Sequence, residues 1–304
     1  MPNVWTHILF CEDVMEYVPL SSQVRKHQHY FNLGAQGPDP FFYHNPWPWT
    51  KSSPINDLGL LMHRNKCGIV LRDMIEGAKI GTDETKAYTL GFITHHVLDR
   101  VTHPYIHYRA GYKDYDHQKL ETIIDTLMLW NFRNIKTWKE PVSQKLNVGT
   151  ELNSYLSVML EKILHEHFGD DLSMQEGFVQ KSYQDMKLAL RIVYDPYGWK
   201  NKLLGKVIPP ISHRPITEVT DFLNERHEVW HHSATQEPST ESFIDLYKQA
   251  RDEAVTLVNA ILQYWEKPLD EVRATAFDLL GDISYDTGRP LNESLENKYA
   301  EPIV

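Results

Sequence analysis

Apolar residues recur at three- and four-residue spacing along most of this 304-residue chain, and alternating runs are rare. The periodicity predicts helices over roughly 3–17, 20–32, 55–78, 84–107, 115–135, 151–168, 173–194, 216–231, 241–266 and 268–281. Asp83, Thr150 and Thr240 are N-cap types just before three of these segments. GAQGPDP at 34–40, NPWPW at 45–49, IPPIS at 208–212 and TGRP at 287–290 break the pattern. The expected fold is all-α, a multi-helix bundle. The pattern weakens at KEPVSQKLNVGT, near 140–150, so the expected organisation is a helical core over 1–140 with further helices of 141–304 packed on it.

One helix carries an anomaly. Residues 95–108 read HHVLDRVTHPYIHY, directly after the nearly uncharged AYTLGFIT. An ionised carboxylate in such surroundings costs several kcal/mol unless something compensates it. His95, Asp99 and His103 share one helix face at i, i+4 and i+8, and Ala87 and Gly91 continue that stripe. The small residues imply room on this face for something other than a side chain. Pro104 is expected to kink or end the helix. In YDHQKLETIIDTLMLW, His117 and Glu121 are again four apart, and Asp125 extends the row. His63 falls on an apolar helix, Asp39 in a loop stiffened by prolines on both sides, and His7 near the chain start.

Composition sharpens this picture only in places. Hydrophobic residues make up 41% and charged ones 24%, an ordinary globular balance. The net charge of −10, with His neutral, disfavours an extended nucleic-acid surface. There is no signal-peptide pattern and no stretch long enough for a membrane span, so a cytoplasmic location is expected. Two cysteines, Cys11 and Cys67, make no disulfide framework and read as small buried hydrophobes, with a soft-ligand role as the rival. Histidine, at 16, is the unusual count. Imidazoles and carboxylates drawn from several helices are a ligand set suited to zinc. His7, Asp39, His63, His95, Asp99, His103, His117 and Glu121 exceed what one tetrahedral ion needs, which points to two or three ions. Structural histidines are the competing explanation for any one of them.

The order His, Asp, His, H-x-x-x-D, His, H-x-x-x-E resembles the zinc-dependent phospholipase C family and the related single-strand-specific zinc nucleases. GAQGPDPFFYH, HHVLDRVTHPY and HQKLETIIDTL look most like the cytosolic bacterial branch of the phospholipase-like group, over about 5–125. SYDTGRP at 284–290 also looks familiar for that branch. The resemblance implies a helical phosphodiesterase with a trinuclear zinc site. Asp39, His63 and His95 would hold one ion. Asp99 would bridge it to a second, shared with His7, and His103, His117 and Glu121 would hold the third. Asp39 and Asp99 are the expected catalytic carboxylates, and Asp125 is a candidate for orienting a ligand imidazole, with a helix-surface or capping carboxylate as the rival. Two departures stand out. The exported relatives chelate zinc through an N-terminal tryptophan, whereas Trp5 is internal here. Removal of Met1 would leave the imino group of Pro2 as a substitute. His103 precedes Pro104 and His107 follows it, and helical phase favours His103.

Phe42 and His44 are candidate substrate contacts, with a core role as the rival. Tyr285 and Asp286 would close the far side of the site, unless they form a plain turn. The expected substrate is a small phosphodiester or a lipid head-group ester. Two other readings compete. HEVWH at 227–231 matches the zinc metalloprotease motif, but Glu225 and Arg226 precede it where an active-site helix should be apolar, and a polar loop follows. A helical metal-binding or interaction protein would need no turnover. An HD-type phosphohydrolase is disfavoured because no His-Asp dipeptide occurs.

Overall fold

A computed structural model describes residues 4–47, 49–51, 53–113, 115–203 and 212–304. The elements in order are α1 (Val4–Glu16), α2 (Ser22–Arg25), α3 (Gln28–Gly34), α4 (Pro54–Arg64), α5 (Cys67–Lys79), α6 (Asp83–Ala110), α7 (Asp116–Arg133), α8 (Ser154–Phe168), α9 (Phe178–Val193) and α10 (Trp199–Leu203). A two-stranded antiparallel ribbon follows, β1 (Trp230–His231) and β2 (Pro238–Ser239), then α11 (Phe243–Glu266) and α12 (Asp270–Leu280). Among the described residues the fold is all-α apart from that ribbon and one isolated bridge between Ile283 and Pro290.

The central element is α6, which packs against α1, α3, α5, α7 and α11. It is buried along nearly its whole length, so apolar and polar side chains alike face protein. Its start is capped by the Thr82 side chain, not by Asp83. Likewise Asn153 caps α8 and Ser242 caps α11, the latter with a reciprocal Asp245 contact. The small residues on α6 serve helix packing and do not leave a void. A Cβ at Gly91 would lie 2.2 Å from the Phe31 carbonyl oxygen, and one at Gly34 would lie 2.0 Å from that of Tyr88. Glycines on both helices let α3 and α6 touch backbone to backbone.

Several expected boundaries shift. The 20–32 and 55–78 segments each divide, the second where Asn65 is extended and Lys66 is left-handed at φ 56°. Pro104 does not end α6, which continues to Ala110. Proline removes the hydrogen bond that the Arg100 carbonyl would have received. The turn at 284–290 covers that point, and a Cβ on Gly288 would sit 2.0 Å from the Arg100 oxygen.

The predicted helix at 216–231 is absent. Asp221 takes the Glu225 and Arg226 amides at 2.9 Å each, and Asn224 and His227 adopt positive φ. Local side-chain bonds here outcompete the helical ladder, while Phe222 and Leu223 plug into the core. HEVWH is therefore a loop running into β1, with Glu228 exposed. Its two histidines lack the one-turn spacing on a helix face that a metalloprotease needs. Both cysteines are buried and free. Among the described residues, no helix is long and apolar enough to cross a membrane.

Candidate metal centre

Asp99 is the hub. It projects from the buried middle of α6 and is 1% exposed. Its Oδ1 lies 3.2 Å from His7 Nε2 of α1 and 3.4 Å from His103 Nε2 one turn along α6. Its Oδ2 lies 3.0 Å from His95 Nε2 and 3.7 Å from His63 Nε2 of α4. Asp39, in the 3-10 turn Asp39–Tyr43, places Oδ1 3.6 Å from His63 Nε2. On α7, His117 Nε2 is 2.8 Å from Glu121 Oε1, and His103 Nε2 is 3.7 Å from the same oxygen. Donor atoms thus gather into compact groups: His7, His95 and Asp99; Asp39, His63 and His95; and His103, His117 and Glu121. All the predicted ligand residues converge on one region of the interior.

The second contacts of the rings decide which atom faces inward. His63 Nδ1 lies 2.7 Å from the Gly59 carbonyl and His95 Nδ1 lies 3.0 Å from the Ala35 carbonyl. A carbonyl only accepts, so both Nδ1 atoms carry hydrogen and donate. Burial pushes His63 down to about 4, so this ring is neutral and turns an Nε2 lone pair towards Asp39 and Asp99. Burial alone would raise Asp99, yet His103, His95 and His7 hold its carboxyl well below the usual range. Burial lifts Asp39 to about 7. Against burial, Asp99 in turn raises His95 and lifts His103 to about 9, so part of its charge is offset by those rings. The neutral His63 ring instead turns a lone pair towards Asp39 and Asp99, a pairing that repels unless a cation lies between them.

The spacings agree with coordination. Two ligands on one tetrahedral zinc stand about 3.3–3.4 Å apart, given Zn–N and Zn–O bonds of about 2.0–2.2 Å. Most of the nitrogen–oxygen separations here run from 3.2 to 3.7 Å. They are at or beyond the usual hydrogen-bond limit of about 3.2 Å. Both carboxylate oxygens of Asp39 are buried without a hydrogen bond, and so are both ring nitrogens of His103. Even the 3.0 Å approach of His95 to Asp99 lacks hydrogen-bond alignment. A void of about 20 Å³ is bounded by His7, Asp99, His103 and Glu121, among others, which is room for roughly one water-sized occupant. The donor set therefore fits divalent zinc.

Neighbouring residues set the ligands in place. Gly37 sits at φ +51°, and a Cβ there would lie 2.2 Å from the His95 ring, so glycine is what lets the Asp39 loop close over that imidazole. Asp125 takes the capping role: among the described residues its hydrogen bonds run to backbone amides and to His213, and none to an imidazole of the cluster. It is fully buried and accepts the Trp5 and Thr6 amides at 3.0 and 2.8 Å, tying down the first turn of α1 and hence His7. His213 Nε2 also reaches Asp125, at 3.1 Å. Pro2 lies outside the described residues.

The cluster opens into a cavity of about 320 Å³, lined by Asp39, His63, His103, His107, His117 and Asp286 on the inner side. Phe42, Leu60, Arg64, Tyr112 and Lys113 line the rest. Phe42 is where a substrate contact was expected. His44 is not among the lining residues: its Nδ1 meets Ser182 Oγ at 2.9 Å against α9. Tyr285 is also not at the mouth. It is 1% exposed and packs on His63 and His96 with ring centroids 5.2 and 4.4 Å away. Its amide, with Ser284 Oγ, donates to the His63 carbonyl that the end of α4 leaves open. Asp286 does reach the cavity. Sequence patterns single out neither Arg64 nor Tyr112. Arg64 adjoins His63 in sequence, which is the one clue to it. Tyr112 reaches the mouth only because α6 ends at Gly111.

The family profile for zinc dependent phospholipase C matches residues 6–169, which include His7, Asp39, His63, His95, Asp99, His103, His117 and Glu121. Comparison with curated proteins and with solved structures finds no match. With more than half of the chain matched, and a buried imidazole–carboxylate cluster whose spacings suit zinc, this protein belongs to the zinc-dependent phospholipase C family of hydrolases.

Proposed function

We propose that this chain is a zinc-dependent phosphodiesterase acting on a small phosphodiester or a lipid head-group ester. The observation that carries this reading is the opening of the donor cluster into the 320 Å³ cavity through Asp39, His63, His103 and His117. A purely structural metal site is closed by protein ligands on every side, whereas a catalytic one keeps a position open.

In this reading Asp39, His63 and His95 would hold one ion, Asp99 would be shared between that ion and another with His7, and His103, His117 and Glu121 would hold a further one. Bound zinc supplies Lewis acidity towards phosphate oxygens and water. The chain's own groups do the rest. Asp39 faces the cavity with both oxygens free of hydrogen bonds, and so can orient an attacking water and take its proton. Arg64 and Lys113 bring positive charge to the mouth for a phosphate anion. Phe42, Leu60 and Tyr112 offer an apolar rim to the ester's organic portion, and they keep water from one side of the phosphorus.

The test is direct. Purified protein is analysed for bound metal and assayed on bis-nitrophenyl phosphate, on glycerophosphodiesters and on short-chain phospholipids, with and without chelator. Hydrolysis of at least one ester, abolished by chelation and restored by zinc, is the expected result. Less than one equivalent of metal after mild purification would sink the proposal. Full metal content with no turnover on the panel would favour a non-enzymatic metal-binding role.

A further inference from the structure

Outside the ligand set already described, a second imidazole–carboxylate group lies on the same cavity wall. Asp286 belongs to the C-terminal turn, beyond the matched residues 6–169. Its Oδ1 sits 3.6 Å from His103 Nδ1 and 3.8 Å from His107 Nε2, and these donors form a fourth compact group. The three side chains come from two distant stretches, α6 and the 284–290 turn. Each is no more than 8% exposed.

The chemistry of the group is unsatisfied as it stands. His107 is buried with neither ring nitrogen in a hydrogen bond, and His103 is the same. A neutral imidazole carries one N–H that burial obliges to find an acceptor. Asp286 Oδ1 is the natural one. Its charge acts on both rings, and against burial they hold its carboxyl well below the usual carboxylate range, but at 3.6 and 3.8 Å the contacts are longer than a formed hydrogen bond. Separations of 3.6 and 3.8 Å instead approach the edge of a coordination tetrahedron, about 3.3–3.4 Å for zinc. The other oxygen of Asp286 is already held by Arg64 Nε, and the Asp286 amide donates to Ser284 Oγ at 3.2 Å. Such anchoring of a carboxylate's far side is what orients a metal ligand. Arg64 also puts positive charge nearby, which works against a cation, so the site needs its anion and both imidazoles.

We propose that His103 Nδ1, His107 Nε2 and Asp286 Oδ1 form an additional divalent-cation site, of zinc type, that shares the His103 ring with the Glu121 group. This rests on the metal-centre reading above. His103 Nε2 faces Glu121 and Asp99 while Nδ1 faces Asp286. Filling both sides makes the ring a bridge, and its remaining N–H proton passes to the buffer. His107 and Asp286 both line the 320 Å³ cavity, so the site has an open side towards it.

The experiment titrates metal-stripped protein with Co2+ and with Zn2+ and counts equivalents by elemental analysis and by visible absorption of the cobalt form. H107Q and D286N should each bind one equivalent fewer than the unaltered protein. The H107Q/D286N double variant should lose no more than either alone. E121Q should lose a different equivalent, and E121Q/H107Q should lose both. Equal stoichiometry in H107Q, D286N and the unaltered protein overturns this site and leaves the main cluster standing. Failure of the unaltered protein to bind any metal overturns both readings. A zinc-edge anomalous map of the unaltered protein decides the matter even if a variant does not fold: a peak bonded to His107 Nε2 and Asp286 Oδ1 supports the site, and its absence refutes it.

Discussion

Replacing Asp99 with Asn is the sharpest perturbation available. The side chain keeps its shape but loses its charge and becomes a poor ligand. Asp99 lies within 3.7 Å of imidazole nitrogens from His7, His63, His95 and His103, on both of its oxygens. In the proposed bridging role Asp99 would touch two ions, and both would lose a ligand. Removing a group that merely supports a metal ligand costs about 10–100-fold in affinity or activity. Taking about 100-fold for each of two ions gives roughly 10⁴-fold, or about 5.6 kcal/mol at about 1.4 kcal/mol per tenfold. The D99N protein should therefore lose at least one equivalent of zinc in competition with a chelator of known affinity, and turnover should fall by about three to four orders of magnitude. Circular dichroism on the same samples establishes whether the helices survive. An intact D99N protein that binds as many ions as the parent, with affinity within tenfold and near-normal turnover, would refute the shared-ligand role.

Other expectations follow from separate features. Gly37→Ala forces a β-carbon to within 2.2 Å of the His95 ring at φ +51°, so it should destabilise by about 2 kcal/mol or more and lower metal content together; unchanged melting and zinc content would contradict this packing. Asp125→Ala strands the Trp5 and Thr6 amides in the interior, at about 1–3 kcal/mol each, and loosens His7; urea melts and a zinc titration measure the two effects. Protons compete with metal for imidazole and carboxylate, so occupancy and activity should fall together as pH drops below neutrality, and added zinc should move the midpoint to lower pH. A pH profile insensitive to zinc concentration would argue against a metal requirement. Glu228→Ala, on an exposed loop away from the cluster, should leave ester hydrolysis unchanged, whereas a metalloprotease acting through HEVWH would be abolished.

Legibility in the sequence followed the range of the interactions concerned. His95, Asp99 and His103, and likewise His117 and Glu121, fall one turn apart on a helix, and that adjacency holds wherever the helix is placed. Asp99 and His103 both precede Pro104, so their one-turn alignment does not depend on the helix running on past it. The segment 216–231 departs from its helical pattern because short-range side-chain bonds compete with the ladder. Its apolar spacing is compatible with a helix, but Asp221 and Asn224 find closer backbone partners. The stripe of Ala87 and Gly91 shows in the sequence that this face admits a close neighbour. Periodicity could not say that the neighbour filling it is the backbone of α3.

By itself, then, the chain's sequence determined an all-helical architecture, an excess of histidine and carboxylate on apolar faces, and the family to which those residues belong. Tertiary structure alone decided which of them share a cavity. It turned His44 towards α9 and Tyr285 into the core, used Asp125 to anchor α1, and carried Asp286 across the chain to His103 and His107. The reason is physical. Helix phase depends on neighbours a few residues away, but the meeting of α1, α4, α6, α7 and the C-terminal turn depends on how whole buried surfaces fit. No local pattern encodes that fit.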